Sequence, residues 1–143
     1  MKRLLVTGSR AWTDRQTIRD ALAAAWRELQ PGPIVLVHGA ADGADSIAAD
    51  IWGSAGLPVE PHPADWDNCD HSCKHAPRYR RDGTPYCPAA GPRRNLEMIR
   101  TGADLCLAFP RGKSIGTQHC MRHARAARIP VWEWGLGGQA PTR

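Results

Sequence analysis

The segment Cys69-Asp70-His71-Ser72-Cys73-Lys74-His75, followed by Tyr86-Cys87-Pro88, gathers soft and borderline metal ligands in a stretch with no apolar periodicity. Structural zinc takes a closed tetrahedron of thiolates and imidazoles. Cys69, Cys73, His75 and Cys87 would supply a Cys3His set, with His71 able to stand in for His75. The spacing C-x3-C-x-H-x11-C matches no standard finger or ribbon, so free thiols in a disordered loop and a redox role stay open beside zinc. A loop this long without regular structure needs a cause for order, and a metal ion supplies one. It would also hold Arg78, Arg80 and Arg81 near the mouth of a neighbouring site, as a lid or a partner surface; otherwise these arginines belong to a solvated loop.

A second kind of chemistry is anion binding. Pro110-Arg111-Gly112-Lys113-Ser114-Ile115-Gly116-Thr117 leads from an apolar run into a helical pattern, and free N–H groups at a helix start favour a phosphate. Gly112 and Gly116 let backbone approach a ligand, Ser114 and Thr117 offer hydroxyls, and Lys113 offers a point charge. This is no Walker loop, because Leu107 stands where that motif requires its first glycine; an ordinary strand-to-helix turn has the same look. At His38-Gly39-Ala40-Ala41-Asp42-Gly43-Ala44-Asp45 the glycine spacing does not make a dinucleotide fingerprint. Asp42 or Asp45 either caps a helix there or accepts from a ribose hydroxyl. At Gly8-Ser9-Arg10, the arginine can fork a phosphate and Trp12 can stack a base; the alternatives are a surface arginine and a tryptophan packed on the adjacent helix.

These turns need elements to carry them. Leu4-Leu5-Val6, Ile34-Val35-Leu36-Val37, Leu57-Pro58-Val59-Glu60, Leu105-Cys106-Leu107-Ala108-Phe109 and Val131-Trp132-Glu133-Trp134 read as strands. Helical spacing runs from Asp14 to Gln30, from Asp45 to Trp52, from near Pro92 through Leu96, Met98 and Ile99, and from Ser114 to Ala127. Alternating strands and helices predict an α/β fold, a Rossmann-like parallel sheet with helices on both faces, plus the Cys/His-rich inserted loop. Residues 1–134 form one domain in this reading, with 62–91 inserted and 135–143 a loose tail. Ligands of such sheets sit beyond the carboxyl ends of the strands, so the glycine turns should converge on one crevice.

The chain has 143 residues, 42% of them hydrophobic, and five cysteines. These values suit one packed domain and argue against a disordered or fibrous chain. No run approaches the ~20 apolar residues that span a bilayer, and the start MKRLLVTGSR has too short an apolar core for a signal peptide. A cytoplasmic protein is expected, in which an odd cysteine count argues against a disulfide framework. Cys106 and Cys120 fall on regular elements and should pack as small hydrophobes. The formal charge is +5, and the excess lies after Pro110, where Arg111, Lys113, Arg122, Arg125, Arg128 and Arg143 are set against Glu133 alone. Only Arg111 and Lys113 flank the proposed phosphate turn; Arg125 and Arg128 answer to a helix dipole and solvent.

Val6-Thr7-Gly8-Ser9-Arg10-Ala11-Trp12-Thr13-Asp14, His38 to Asp45, Gly91-Pro92-Arg93-Arg94-Asn95-Leu96-Glu97-Met98, and Ala103-Asp104 through Gly116-Thr117 together resemble the cpYpsA-related branch of the SLOG superfamily, in order and in spacing. That superfamily is Rossmann-like and includes the Lonely Guy phosphoribohydrolases, the DNA-processing protein DprA and domains that sense ADP-ribose-type nucleotides. The resemblance implies that Arg94 stands where Lonely Guy enzymes place an arginine near the scissile N-glycosidic bond, and that Gly116-Thr117 matches their phosphate-binding Gly-Thr. It also puts Cys120 at the position of their catalytic glutamate. A helix-embedded thiol neither activates water nor stabilises an oxocarbenium-like charge well; Asp45 offers a replacement carboxylate that nothing in the sequence positions.

The function expected from these residues is binding of a nucleotide or nucleotide-derived ligand. Gly8, Ser9, Arg10, Trp12, Gly39, Asp42, Gly43, Asp45, Arg94, Asn95, Gly112, Lys113, Ser114, Gly116 and Thr117 would line its site. A phosphoribohydrolase acting on a nucleoside monophosphate, with Arg94 catalytic, is the alternative. Single-stranded nucleic-acid binding comes third, because no aromatic platform accompanies the basic helix. The resemblance adds a homodimer as a candidate assembly; no membrane partner is expected.

Overall fold

A computed structural model describes residues 1–135 and 140–143. The main sheet is parallel, in the order β3-β2-β1-β6-β7: β1 (Lys2–Gly8), β2 (Ile34–His38), β3 (Val59–Pro61), β6 (Leu105–Phe109) and β7 (Val131–Glu133). Between β3 and β6 lie β4 (Arg78–Tyr79) and β5 (Pro85–Tyr86), a small antiparallel hairpin inside the stretch expected to be loop.

The pleat sorts the apolar residues into two layers. Leu4, Val6, Leu36, Leu107 and Phe109 pack against α1 (Arg15–Leu29) and α2 (Ala44–Ser54). On the other face are Leu5, Val37, Cys106 and Ala108, with Met98 from α3 (Ala90–Thr101) and Cys120, Met121 and Ala124 from α4 (Ile115–Ala126). Alternate strand residues point to opposite faces, so the continuous apolar runs fill both layers of a sheet buried on each side. α1 starts where Asp14 accepts from the Thr17 amide at 3.1 Å, a side-chain N-cap.

β1 is central, with β2 on one side and β6 on the other, so the strand order reverses direction at the β1–β6 pair. Chains leaving these two strands diverge, and their carboxyl ends open a crevice. Gly8 pairs with Phe109 at that end, and the Ser9 amide donates to the Phe109 carbonyl at 2.9 Å. The sequence-expected tail includes residues 136–139, which lie outside the described residues; beyond them Thr142 pairs with Glu133, and the Arg143 guanidinium stands 4.1 Å from the Trp132 ring centroid. Among the described residues no helix is long and apolar enough to cross a membrane.

Candidate functional site

Beyond the ends of β1 and β6 lies a cleft of about 690 Å³. One wall is the start of α4. Ser114, its N-cap residue, has a left-handed backbone with φ of 38°, a sparsely populated conformation for a residue with a side chain. Its hydroxyl holds the turn closed by accepting from the Arg111 amide at 2.8 Å and donating to the Arg111 carbonyl at 2.6 Å. The Ser114 side chain makes no capping bond and the first turn of α4 holds no acidic residue, while the opening amides of an α-helix have no intrahelical acceptor. Lys113, Ser114, Gly116 and Thr117 line the cleft there, with Ile115, which is 78% exposed. Gly112 belongs to the turn but not to the lining.

The opposite wall is built on the start of α2. Neither Asp42 nor Asp45 caps that helix. Gly43 does so at φ of 75°, with no side-chain hydrogen bond, and Asp42 is exposed. The Asp45 carboxylate turns back instead. Its Oδ2 accepts from the Gly39 amide at 3.0 Å and the Ala41 amide at 3.3 Å, while its Oδ1 is buried with no partner among the described residues. Asp45 lines the cleft and is 5% exposed. Burial pushes its carboxyl up to about 6, against the downward pull of the two amides and of the Arg94 and Arg10 charges.

Arg94 and Asn95 join these walls from α3. Nη1 of Arg94 donates to the Gly39 and His62 carbonyls, and Nε donates to Asn95 Oδ1 at 2.9 Å. A Cβ on Gly39 would lie 2.4 Å from Arg94 Nη1, so residue 39 must be glycine for the guanidinium to lie where it does. Burial lowers the Arg94 guanidinium from its ordinary value, with Asp45 opposing. Asn95, itself buried, donates to the Gly116 carbonyl at 3.2 Å and ties α3 to the first turn of α4.

Of the expected site residues, Gly8, Ser9, Arg10, Gly39, Asp45, Arg94, Asn95, Lys113, Ser114, Gly116 and Thr117 surround this one cleft, and Trp12, Asp42, Gly43 and Gly112 do not. Trp12 is 1% exposed and packs edge-on against Phe109 in the α1 layer, with Nε1 donating to the Asp14 carbonyl at 2.9 Å. Sequence reasoning missed Trp66, His119 and Arg122, which also line the cleft. Ile115, His119 and Arg122 follow one another at helical spacing, a signal that was available. Trp66 stands alone in a polar stretch and carried no such pattern. Cys120 is fully buried among the α4 core residues and does not line the cleft, so its thiol presents no acid or base to it.

Next to the cleft, Cys69, Cys73, His75 and Cys87 bring one ligand atom each to within 4.8 Å of one another, and no disulfide joins them. His75, not His71, completes the set. The separations are 3.5 Å for Cys69 Sγ to His75 Nε2, 3.5 Å for Cys87 Sγ to His75 Nε2, and 3.6 Å for Cys73 Sγ to Cys87 Sγ. A tetrahedral ion with Zn–S of about 2.3 Å and Zn–N of about 2.0 Å has edges of roughly 3.5–3.8 Å, and these three separations match such edges. His75 Nδ1 bonds the Ala76 carbonyl at 2.8 Å, which fixes the tautomer that leaves Nε2 free to ligate. Arg93 Nη1 approaches Cys73 Sγ at 3.2 Å and Cys87 Sγ at 3.3 Å. Burial pushes the Cys87 thiol up, but bonds from Arg93, His75 and the neighbouring thiols outweigh it and bring it down to about 6. Between His62 and Ala89, Cys87 is the only buried residue.

Known proteins resemble the chain in both sequence and fold. The family described as YspA, cpYpsA-related SLOG family matches residues 2–69, the half that carries β1, α1, β2, α2 and β3. The Gene 61 protein of Mycobacterium phage D29 is 48% identical over 142 residues, covering 94% of this chain and 98% of that protein. A solved structure of DNA processing protein A from Helicobacter pylori, described for its single-stranded DNA binding mode, shares the fold. Its TM-score is 0.59 at 19% identity, over 98% of this chain and 68% of that one. With the motifs of β1, α2 and α4 gathered around one crevice, the chain belongs to the cpYpsA-related SLOG family.

Proposed function

We propose that the cleft binds a nucleotide or nucleotide-derived ligand, its phosphate on the opening amides of α4 beside Lys113, Ser114 and Thr117, and its ribose hydroxyls at Asp45. One observation carries this reading: Asp45 lines the cleft, and its Oδ1 is a buried carboxylate oxygen with no partner among the described residues. An unmade hydrogen bond to a buried charged group costs on the order of 1–3 kcal/mol or more, and a sugar hydroxyl is the donor that an acceptor-only group takes. The α4 start, where Ser114 makes no capping bond, supports an anion on the facing wall.

Titration calorimetry with the common nucleoside 5′-monophosphates and the matching nucleosides tests the reading. At least one monophosphate is expected to saturate one site, and its nucleoside to bind at least about tenfold more weakly, because a charge-assisted bond contributes about 1.5–3 kcal/mol. No heat from any monophosphate, or equal affinity with and without the phosphate, refutes it.

A second reading, binding of single-stranded nucleic acid, is favoured by the number of cations. Arg10, Arg94, Arg111, Lys113 and Arg122 all line the cleft, more positive charge than one phosphate requires, and Arg122 joins the pair expected to reach a ligand. The Helicobacter pylori protein that shares the fold binds single-stranded DNA. For the Cys3His cluster the ion proposed is zinc, in a closed structural site.

A further inference from the structure

A second concavity, of about 460 Å³, opens on the inserted segment and is lined by Arg10, Trp66, Tyr79, Arg80 and Tyr86. Arg10 and Trp66 line the main cleft as well, so the two hollows meet at this pair, where the guanidinium carbon stands 5.4 Å from the indole centroid. Tyr79 is 64% exposed. Arg80 lies over Tyr86 at 5.8 Å and is fixed by the Pro85 carbonyl at 2.7 Å and Asp67 at 2.9 Å. The lining holds aromatic rings and guanidinium planes and no carboxylate.

The insertion is built to hold these rings in place. Tyr79 and Tyr86 sit on the paired strands β4 and β5. Cys87 follows Tyr86 directly, and its amide donates to the Trp66 carbonyl at 2.7 Å. Cys87, one of the four residues of the ligand cluster, therefore ties Trp66 to Tyr86. Packing does not account for it, because neither Trp66, Tyr79 nor Tyr86 is buried. Exposed rings beside cations suit a flat, electron-rich group attached to an anion, which is the chemistry of a nucleobase and its phosphate.

We propose that this hollow is a second base subsite. The ligand of the main cleft carries a further nucleobase, joined through a phosphate, which stacks on Trp66, Tyr79 and Tyr86, and Arg10 pairs with the linking phosphate. The proposal rests on the reading of the main cleft as a nucleotide site and narrows the ligand class to a dinucleotide or a longer strand.

The test compares three probes on the full chain: a nucleoside 5′-monophosphate, the 5′-phosphorylated dinucleotide whose second base is 2-aminopurine, and a longer single strand. The dinucleotide is expected to bind roughly tenfold or more tighter than the mononucleotide, the usual effect of one stacked base, and its fluorescence to fall on binding. Tyr79→Ala, at an exposed position outside the main cleft, should remove most of that gain and of the quenching and leave mononucleotide affinity as in the wild type. Trp66→Leu should also remove the quenching. Equal affinity for mononucleotide and dinucleotide, or quenching that survives both substitutions, overturns the subsite and leaves the nucleotide reading intact. A Tyr79-dependent dinucleotide signal without mononucleotide binding keeps the subsite and overturns the phosphate and ribose placement. Further tightening with the longer strand, lost steeply as salt rises, identifies a strand as the source of the second base. Affinity that stops rising at the dinucleotide identifies a free dinucleotide.

Discussion

Asp45→Asn should raise the melting temperature of the free protein at neutral pH by roughly 5–10 °C and weaken nucleotide binding by about 10–100-fold. Burial holds the Asp45 carboxyl at about 6 in the folded chain, against an ordinary value of 3.8. A raised carboxylate value means that the fold disfavours the charged form. Below about pH 4 both states carry a proton and nothing is lost; between about 4 and 6 stability falls as pH rises; above about 6 the full penalty, on the order of 3 kcal/mol, is present. An asparagine can keep the acceptor bonds to the Gly39 and Ala41 amides through its oxygen, remove the charge and place its NH2 where Oδ1 has no partner. The stability difference between variant and wild type should therefore close as pH is lowered from 7 towards 4. The lost affinity has the same origin, since the amide no longer offers a charged acceptor to a ligand hydroxyl. Differential scanning calorimetry across that range decides it, and an asparagine variant that melts below the wild type at pH 7 refutes the account.

The other large effect concerns the insertion. Purified protein should carry one equivalent of zinc, and Cys87→Ser should carry none and be cut by trypsin at Lys74, Arg78, Arg80 or Arg81 at least about tenfold faster. Cys87 is the only buried residue between His62 and Ala89, so this stretch has no apolar core of its own, and a hairpin of two-residue strands is marginal alone in water. Binding energy at a structural zinc site is folding energy for the segment that supplies the ligands. The two apolar layers of the main sheet contain neither Cys69, Cys73 nor His75, so cooperative unfolding of the body should persist in the variant. Less than half an equivalent of metal in the wild type, or equal trypsin rates, sinks the zinc assignment.

The parts of the molecule that were legible beforehand are those in which a short sequence carries its own period. Leu4-Leu5-Val6 and Leu105 to Phe109 are apolar on both faces because both faces are covered, and the Ile18, Ala21, Leu22, Ala25 spacing of α1 follows the helix repeat. The Cys/His set was legible because ligand chemistry restricts residue types, whereas the hairpin within it was not, since its pairs have no alternation to read. Trp12 and Trp66 were hardest. A tryptophan after a glycine turn looks the same whether its ring turns inward onto Phe109 or outward to a ligand, and Trp66 acquires its place through a backbone bond to Cys87 far along the chain. The exposed and half-buried rings beside the cleft, Trp66, Tyr79 and Tyr86, belong to the insertion and not to the basic helix. Asp45 was ambiguous because an acidic residue at a helix start is commonly a cap; Gly43, free to take a positive φ, fills that role and releases the carboxylate.

Arg94 occupies the space that a side chain on residue 39 would need. Positions 39 and 94, one in the turn after β2 and the other on α3, therefore compete for one small volume. A side chain at position 39 would push the end of Arg94 aside, and with it a cation whose charge acts on the buried Asp45 carboxylate. The constraint runs one way: a side chain at 39 displaces the guanidinium, whereas a shorter residue at 94 leaves the glycine undisturbed.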